Sequence, residues 1–432
     1  MGKHEEIVVG LDIGTTKIVA IVGKLNQYNK LEILGLGRAE STGVLRGVVA
    51  NINKTVEAIQ KAVSEAQLAS NIDIASVHVG IAGQHIKCTQ SRGSLVRENG
   101  LDEVITIRDI KKLYSDMYKL NIDPGDKIIH VLPQEFTIDN EQGIKDPIGM
   151  AGNRIEANFH IITGDIGAAK NIKLCTETAG LEVADLILEP IASAQAALSE
   201  EEKEAGIALV DIGGGTTDLA IFHNGLIRHT AVIPFGGNIV TEDIKEGCSV
   251  MRRQAEQLKL KFGAALALSN MDNQVVTIPG LKGRKPKEVS VKTLSSIIQS
   301  RMEEIIEEVL HEIKVSGYLD RLIGGIVITG GGSQLKHLKQ LVEYITGFDC
   351  RIGYPNEHLS DGTHQSLMHP IYATSIGLML KGFQSSHDNI NAVKVDNFPK
   401  QNNKSTLSWF SKMFEKSKKW FADEEIEEFG NN

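Results

Sequence analysis

Residues 7–23, IVVGLDIGTTKIVAIVG, and residues 207–225, IALVDIGGGTTDLAIFHNG, are two versions of one pattern. Each is a β-branched apolar run, then Asp-Ile-Gly, then a Gly/Thr turn, then a second apolar run. Short apolar runs bounded by glycine predict a strand, a tight turn and a returning strand. Asp12 and Asp211 stand about 200 residues apart, so the chain reads as a duplication into two similar α/β lobes. A third apolar run, Ile323–Thr329, ends in Gly330-Gly331-Gly332.

Between these turns, patterning predicts a helix over 51–68, a strand over 75–82 and mixed short runs from 84 to about 163, which read as an inserted subdomain. Ile239, Ile244, Cys248, Met251, Ala255, Leu258 and Phe262 recur on one helical face. A polar, basic insert over 270–292 precedes a long helix over 294–315, and a helix follows from Leu335. An apolar helix with small residues spans 371–383, and the Asn/Ser/Lys/Asp-rich stretch 384–405 predicts a flexible linker.

The 432-residue chain, 41% apolar, is long enough for about two to four domains. Its net charge of −9 argues against a general nucleic-acid binder. Cys88, Cys175, Cys248 and Cys350 stand far apart without metal spacing and read as small buried residues in a reducing compartment. The start, MGKHEEIVVG, has no signal-peptide architecture, and no uninterrupted apolar run is long enough to span a bilayer. The expected place is the cytoplasm, unless another segment recruits the chain to a membrane.

Glycine-rich turns after apolar strands let backbone amides converge on phosphate oxygens. Asp12 and Asp211, each ending its strand, can hold a hydrated Mg²⁺ between them, since this ion keeps several waters and takes few protein ligands. One DIGTT turn would be as well explained as a structural turn; two in tandem, with GGGS after a third strand, point to nucleotide binding. No Gly-Lys-[Ser/Thr] P-loop and no GxGxxG is present.

The pattern resembles the actin, Hsp70 and sugar-kinase superfamily. That resemblance implies a two-lobed α/β fold with duplicated RNase H-like cores that binds ATP and Mg²⁺. Gly14, Thr15, Thr16 and Lys17 would form the first phosphate loop and Asp211, Gly213, Gly214, Gly215, Thr216 and Thr217 the second. Gly330, Gly331, Gly332 and Ser333 would cup the adenosine. Glu256 and Lys259, in AEQLKLKFG, would contact ribose and base; the alternative is an exposed i,i+3 ion pair. Glu189, in LILEPIASAQAAL, would orient the attacking water as the catalytic partner of Asp211. It equally suits a helix N-terminus before Pro190. ATP binding with at most slow hydrolysis is the expectation.

Within the superfamily the chain resembles the FtsA family of bacterial cell-division proteins from Val8 to Phe421. The carrying motifs are SVHVGIAGQHI, EPIASAQAAL, IPFGGNIVTEDI and the terminal helix; the continuation ADEEIEEFGNN departs from the pattern. The implied organisation is a lobe 1 core (6–84, 166–200 and 366–383) and an inserted, self-associating subdomain (85–165). A lobe 2 core (205–235 and 322–365) with an outer subdomain (236–321) follows, then a linker (384–406), an amphipathic helix (407–421) and an acidic tail (422–432). The resemblance implies an actin-like polymer that anchors the FtsZ ring to the cytoplasmic face of the inner membrane at the septum. Its partners would be the FtsZ C-terminal tail, further copies of itself and other division proteins. Five basic residues in 281–292, Lys285 and Lys287 among them, would receive the acidic tail with Arg301, although a solvated hairpin tip explains any single lysine as well. A pilus-assembly ATP-binding component and a phosphotransferase are the competing readings.

The terminal helix can be judged alone. In LSWFSKMFEKSKKWF (407–421), Leu407, Trp409, Phe410, Met413, Phe414, Trp420 and Phe421 fall within about 160° of a helical wheel. Lys412, Lys416, Lys418 and Lys419 border or oppose them, and both tryptophans of the chain are here. A basic amphipathic segment after a long polar linker predicts insertion into a membrane surface, with docking on the protein's own core as the alternative.

Overall fold

The computed structural model describes residues 6–97, 104–267, 274–280 and 285–395, with side chains to residue 385. The first turn joins β1 (Ile7–Ile13) to β2 (Lys17–Leu25), which continues to β3 (Leu31–Glu40). After a short hairpin, β4 (Val44–Leu45) and β5 (Val48–Val49), come α1 (Ile52–Ser70) and β6 (Ser76–Ile81). Asn51 caps α1, its side chain accepting from Lys54 N–H, and Asn71 ends the helix in the left-handed region.

The insertion comprises β7 (Lys87–Val96), α2 (Ile107–Met117), β8 (Asp126–Ile138), β9 (Glu141–Ile144) and β10 (Arg154–Asp165). These strands form a separate sheet in the order β7-β10-β8-β9, with α2 buried on it around Leu113, Tyr114, Phe136 and Phe159. Lobe 1 resumes with α3 (Ile166–Thr178), β11 (Glu182–Leu188) and α4 (Glu189–Ala197), and α5 (Glu200–Ala205) leads onward.

Lobe 2 repeats the plan: β12 (Ile207–Ile212), β13 (Thr217–His223) and β14 (Leu226–Ile233) precede α6 (Gly237–Gly247) and α7 (Arg252–Phe262). A hairpin, β15 (Val275–Ile278) and β16 (Lys287–Ser290), leads into α8 (Val291–Val315). Then come β17 (Ile326–Thr329), α9 (Leu338–Thr346), β18 (Cys350–Ile352) and α10 (Ala373–Val395).

The duplication is visible in the topology. The lobe 1 sheet runs β3-β2-β1-β6-β11 and the lobe 2 sheet β14-β13-β12-β17-β18. In each, the first three strands are an antiparallel meander, and the next two add in parallel to the first. The two Asp-Ile-Gly turns are closed alike, Gly14 N–H to Lys17 O (3.1 Å) and Gly213 N–H to Thr216 O (2.9 Å). Lobe 1 therefore has the α/β, actin-like core expected of it, and so has lobe 2.

Several expected boundaries shift. The face from Ile239 to Phe262 is not one helix: α6 stops at Gly247, Ser249 takes a positive φ (46°), and α7 starts anew. Met251 and Phe262 are consequently exposed rather than in the stripe. The strand before the triple glycine starts at Ile326, since Gly324-Gly325 turn the chain first. The segment around Leu359, expected in lobe 2, caps lobe 1: Leu31 N–H donates to His358 O (2.7 Å), and Leu359 is buried among Val8, Ile21 and Ile376. The expected linker over 384–406 starts later, because α10 runs to Val395; no proline or glycine interrupts 384–395, so the helix propagates from its buried part. The rest of the linker, the amphipathic segment 407–421 and the acidic tail 422–432 lie outside the described residues.

Although inserted in lobe 1, the subdomain also packs on lobe 2 through polar groups. Arg228 of β14 donates to Gln134 Oε1 (3.0 Å) and pairs with Glu135 (2.6 Å). Gln134 donates to Ile227 O (2.8 Å), and His160 Nε2 lies 3.2 Å from Thr230 Oγ1. On the lobe 1 side, His130 Nε2 accepts the Leu188 N–H (3.1 Å), just before α4. Burial pushes the His130 pKa down to about 3 and that of His160 to about 4. An imidazole held neutral in the fold but free to protonate when unfolded stabilises above its unfolded pKa of ~6.5 and loses that contribution as pH falls. Each should cost about 2 kcal/mol between pH 7 and pH 5. Denaturant titrations at the two pH values check this: H130Q/H160Q should have a markedly smaller pH difference than the parent, and an equal difference would show ordinary titration.

Candidate functional site

The cleft lies where β1, β12 and β17 deliver their C-terminal ends. Its lining includes Asp12, Gly14–Lys17, Glu189, Asp211, Gly213–Thr216, Asp218, Gly330, Gly331 and Thr374. The two turns nearly touch: a Cβ on Gly214 would sit 2.3 Å from Thr16 Cγ2, and one on Gly215 2.5 Å from Thr15 Oγ1. Glycine at both positions leaves backbone amides as the surface facing the gap. Thr15 Oγ1 also accepts the Gly47 N–H (3.1 Å), which ties the β4–β5 hairpin to the first turn.

Four carboxyl groups surround this gap. Asp12 is buried, with Lys17 Nζ 4.0 Å away and the Ser375 hydroxyl donating to Oδ2 (3.2 Å). Asp211 Oδ2 accepts from Ser193 (2.6 Å) and Thr374 (3.2 Å). Burial raises both pKa values, and these hydrogen bonds oppose the rise. Glu189 is held well above the ordinary range by burial and then by Asp12, Asp218 and Asp211. Asp218, directly across from Asp211 in the β12–β13 pair, is raised well above it too, by burial and by Asp211. Its Oδ1 has no hydrogen-bond partner. Lys17 is the lone cationic side chain among the residues lining the gap. Such a buried, carboxylate-lined gap would suit a bound cation, and Asp12 and Asp211 are the groups that would hold it.

Sequence comparison decides the family. A profile described as "Cell division protein FtsA" matches residues 208–377, and one described as "SHS2 domain inserted in FTSA" matches residues 83–163. The chain is 40% identical to Cell division protein FtsA of Pseudomonas aeruginosa over 383 residues, 89% of this chain and 91% of the relative. The chain belongs to the FtsA family. It is 38% identical to FtsA of Neisseria meningitidis over 88% of the chain, and 34% identical to FtsA of Escherichia coli K12 over the same share; each match covers 91% of the relative. An Hsp70 profile matches residues 168–231. Among solved structures, the chain is similar to a PilM–PilN type IV pilus biogenesis complex (TM-score 0.63, 16% identity, 87% of this chain and 98% of that one). It is also similar to MreB5 of Spiroplasma citri bound to ADP (TM-score 0.52, 16% identity, 89% of this chain and 98% of that one). At such identity these likenesses show the actin-like fold alone. The inserted subdomain is thus the SHS2 domain of FtsA proteins.

Within this FtsA-family cleft, most of the expected loop residues come together: Gly14 to Lys17, Asp211, Gly213 to Thr216, Gly330 and Gly331 all line it, with Glu189. Three expected residues turn away. Thr217 is fully buried in β13 and its hydroxyl donates to Phe235 O (2.9 Å). Ser333 is buried with its hydroxyl on Gly330 O (2.8 Å), and Gly332 packs on Ile212. Glu256 and Lys259 are paired (2.8 Å) one layer behind the gap. Lys259 Nζ donates to Gly237 O (2.7 Å), and the Gly237 N–H donates to Gly213 O (2.9 Å), so this pair braces the second turn through α6.

Arg301, expected to receive an acidic peptide, is paired within the chain. Its Nε and Nη2 reach Asp243 (2.6 and 3.1 Å), and Nη1 pairs with Glu304. Lys285 and Lys287 are exposed, and residues 281–284 of the basic run lie outside the described part.

Asp218, Ser193, Thr374, Ser375 and Gly80 escaped the sequence reading. A Cβ on Gly80 would meet Glu189 Cγ at 2.9 Å, so glycine there makes room for that side chain. Asp218 had a signal: it is the one carboxylate of the strand TDLAIFH, two positions from Thr216 and hence on the same face.

Proposed function

We propose that the chain binds Mg²⁺–ATP between its lobes, polymerises as actin does, and tethers the FtsZ ring to the cytoplasmic face of the membrane through residues 407–421. The observation that carries this reading is the pair of topologically equivalent Asp-Ile-Gly turns meeting face to face, with Asp12 and Asp211 beside them, in a chain of the FtsA family. Nucleotide is supported by the ADP named in the similar MreB5 structure. Backbone amides of both turns and Lys17 would receive the phosphates, and Asp12 and Asp211 the hydrated cation. When bound, Mg²⁺ would supply neutralisation of phosphate charge between the two lobes.

Glu189 fits a water-positioning role by location. The outer subdomain would receive the acidic FtsZ tail at Lys285, Lys287 and Arg301. There the peptide competes with Asp243 and Glu304 for Arg301, which favours a modest, readily reversed contact.

Asp211→Ala should weaken Mg²⁺–ATP binding by about a hundredfold, since it removes one of two metal-facing carboxylates. Fluorescent-nucleotide titration checks it, and unchanged affinity would remove the cleft assignment. The whole reading is tested by vesicle recruitment of the full chain with Mg²⁺–ATP, with and without an FtsZ tail peptide. ATP-dependent pelleting that carries the peptide along is expected; a chain that binds ATP but recruits neither lipid nor peptide would overturn the tethering function.

A further inference from the structure

The two metal-facing carboxylates are held by one short cluster of hydroxyl groups. Thr374 and Ser375, adjacent in the first turn of α10, reach opposite lobes: Thr374 donates to Asp211 and Ser375 to Asp12. Ser193 of α4 also donates to Asp211 and lies 3.0 Å from the Thr374 hydroxyl. In both carboxylates the same oxygen, Oδ2, takes these bonds. The other oxygen faces a glycine turn of the cleft: Asp211 Oδ1 lies 2.2 Å from where a Gly330 Cβ would stand, and Asp12 Oδ1 3.6 Å from that of Gly14. Ser193 and Ser375 are fully buried.

We propose that Ser193, Thr374 and Ser375 are positioning residues for the cation of this cleft, fixing each aspartate by Oδ2 so that Oδ1 is presented to the metal. This rests on the reading of the cleft as a Mg²⁺–ATP site. The physical case is geometric: a carboxylate free to rotate must be ordered when the ion arrives, and prior hydrogen bonds remove that cost. The alternative is that the hydroxyls merely satisfy buried groups, and that role would not discriminate between cation and nucleotide.

The test uses the full chain and a fluorescent ATP analogue, titrated with Mg²⁺ and again in excess EDTA, with Mn²⁺ followed by electron paramagnetic resonance. S193A/T374V should lose about tenfold in cation affinity. Nucleotide affinity in EDTA should stay within about twofold of the parent. T374S should bind like the parent. S375A, which acts on the other carboxylate, should show the same split and serves if the double variant folds poorly. Equal losses with Mg²⁺ and in EDTA, or cation affinity unchanged in folded variants, would overturn this inference while leaving the ATP site standing. A parent protein that shows no Mg²⁺-dependent ATP binding would overturn both.

Discussion

A chain ending at residue 406 should stay in the supernatant when spun with anionic vesicles, under conditions where the full chain pellets with them. Trp409, Phe410, Met413, Phe414, Trp420 and Phe421 supply the apolar face of the removed segment. Burying a large apolar side chain contributes roughly 1.5–3 kcal/mol, so a partly inserted face of six is ample for a micromolar contact. The four lysines among 412–419 add attraction to anionic lipid that weakens with salt. ATP affinity should be the same in both chains, since among the described residues the cleft lining ends at Thr374, with Ser375 bonded to Asp12 beside it. A truncated chain that still pelleted would place the membrane contact elsewhere. A single amphipathic segment of this kind would hold weakly, so on the proposed assembly the full chain should also pellet more steeply with protein concentration.

The second large effect is expected at Gly377. A Cβ there would lie 1.8 Å from the carbonyl oxygen of Ala192, so α10 and α4 pack backbone to backbone. A main-chain oxygen cannot swing aside, and the two helices must part. Gly377→Ala should cost about 3 kcal/mol or more, at the upper end of overpacking penalties. Mg²⁺–ATP binding should weaken as well, because Ser193 and Thr374 reach Asp211 from those two helices. Denaturant titration beside Gly331→Ala is the check, since the nearest atom to a Cβ at Gly331 is 3.7 Å away. Equal midpoints for the two variants would show that α10 has slack.

The two lobes were legible because their signal is local. Strand, Asp-Ile-Gly turn and returning strand occupy adjacent residues, and the same order recurs after Ile207. The topology follows from that repetition. What stayed hidden depends on long separations. Arg301 meets Asp243 across 58 positions, and a run of charges on a helix does not disclose its partner. Thr374 and Ser375 look like small residues in an apolar helix until α10 is seen to start at the cleft. By their motif Glu256 and Lys259 are expected at the ribose and base, with an i,i+3 ion pair as the alternative. The pair is present, but its link to the second turn through Gly237 depends on the break at Ser249, which has no strong sequence mark. Thr217 shows the cost of reading a loop as a block: one residue inside the strand, the side chain points to the other face.

The polar contact between the SHS2 domain and β14 has a mechanical consequence. The domain is bolted to lobe 1 by the two chain crossings beside Gly83 and Asp165, and braced to lobe 2 by Arg228. Lobe, insertion and lobe therefore form a closed linkage around the cleft. Any rotation that parts the two turns must either drag the insertion with lobe 2 or shear the Arg228–Glu135 strut.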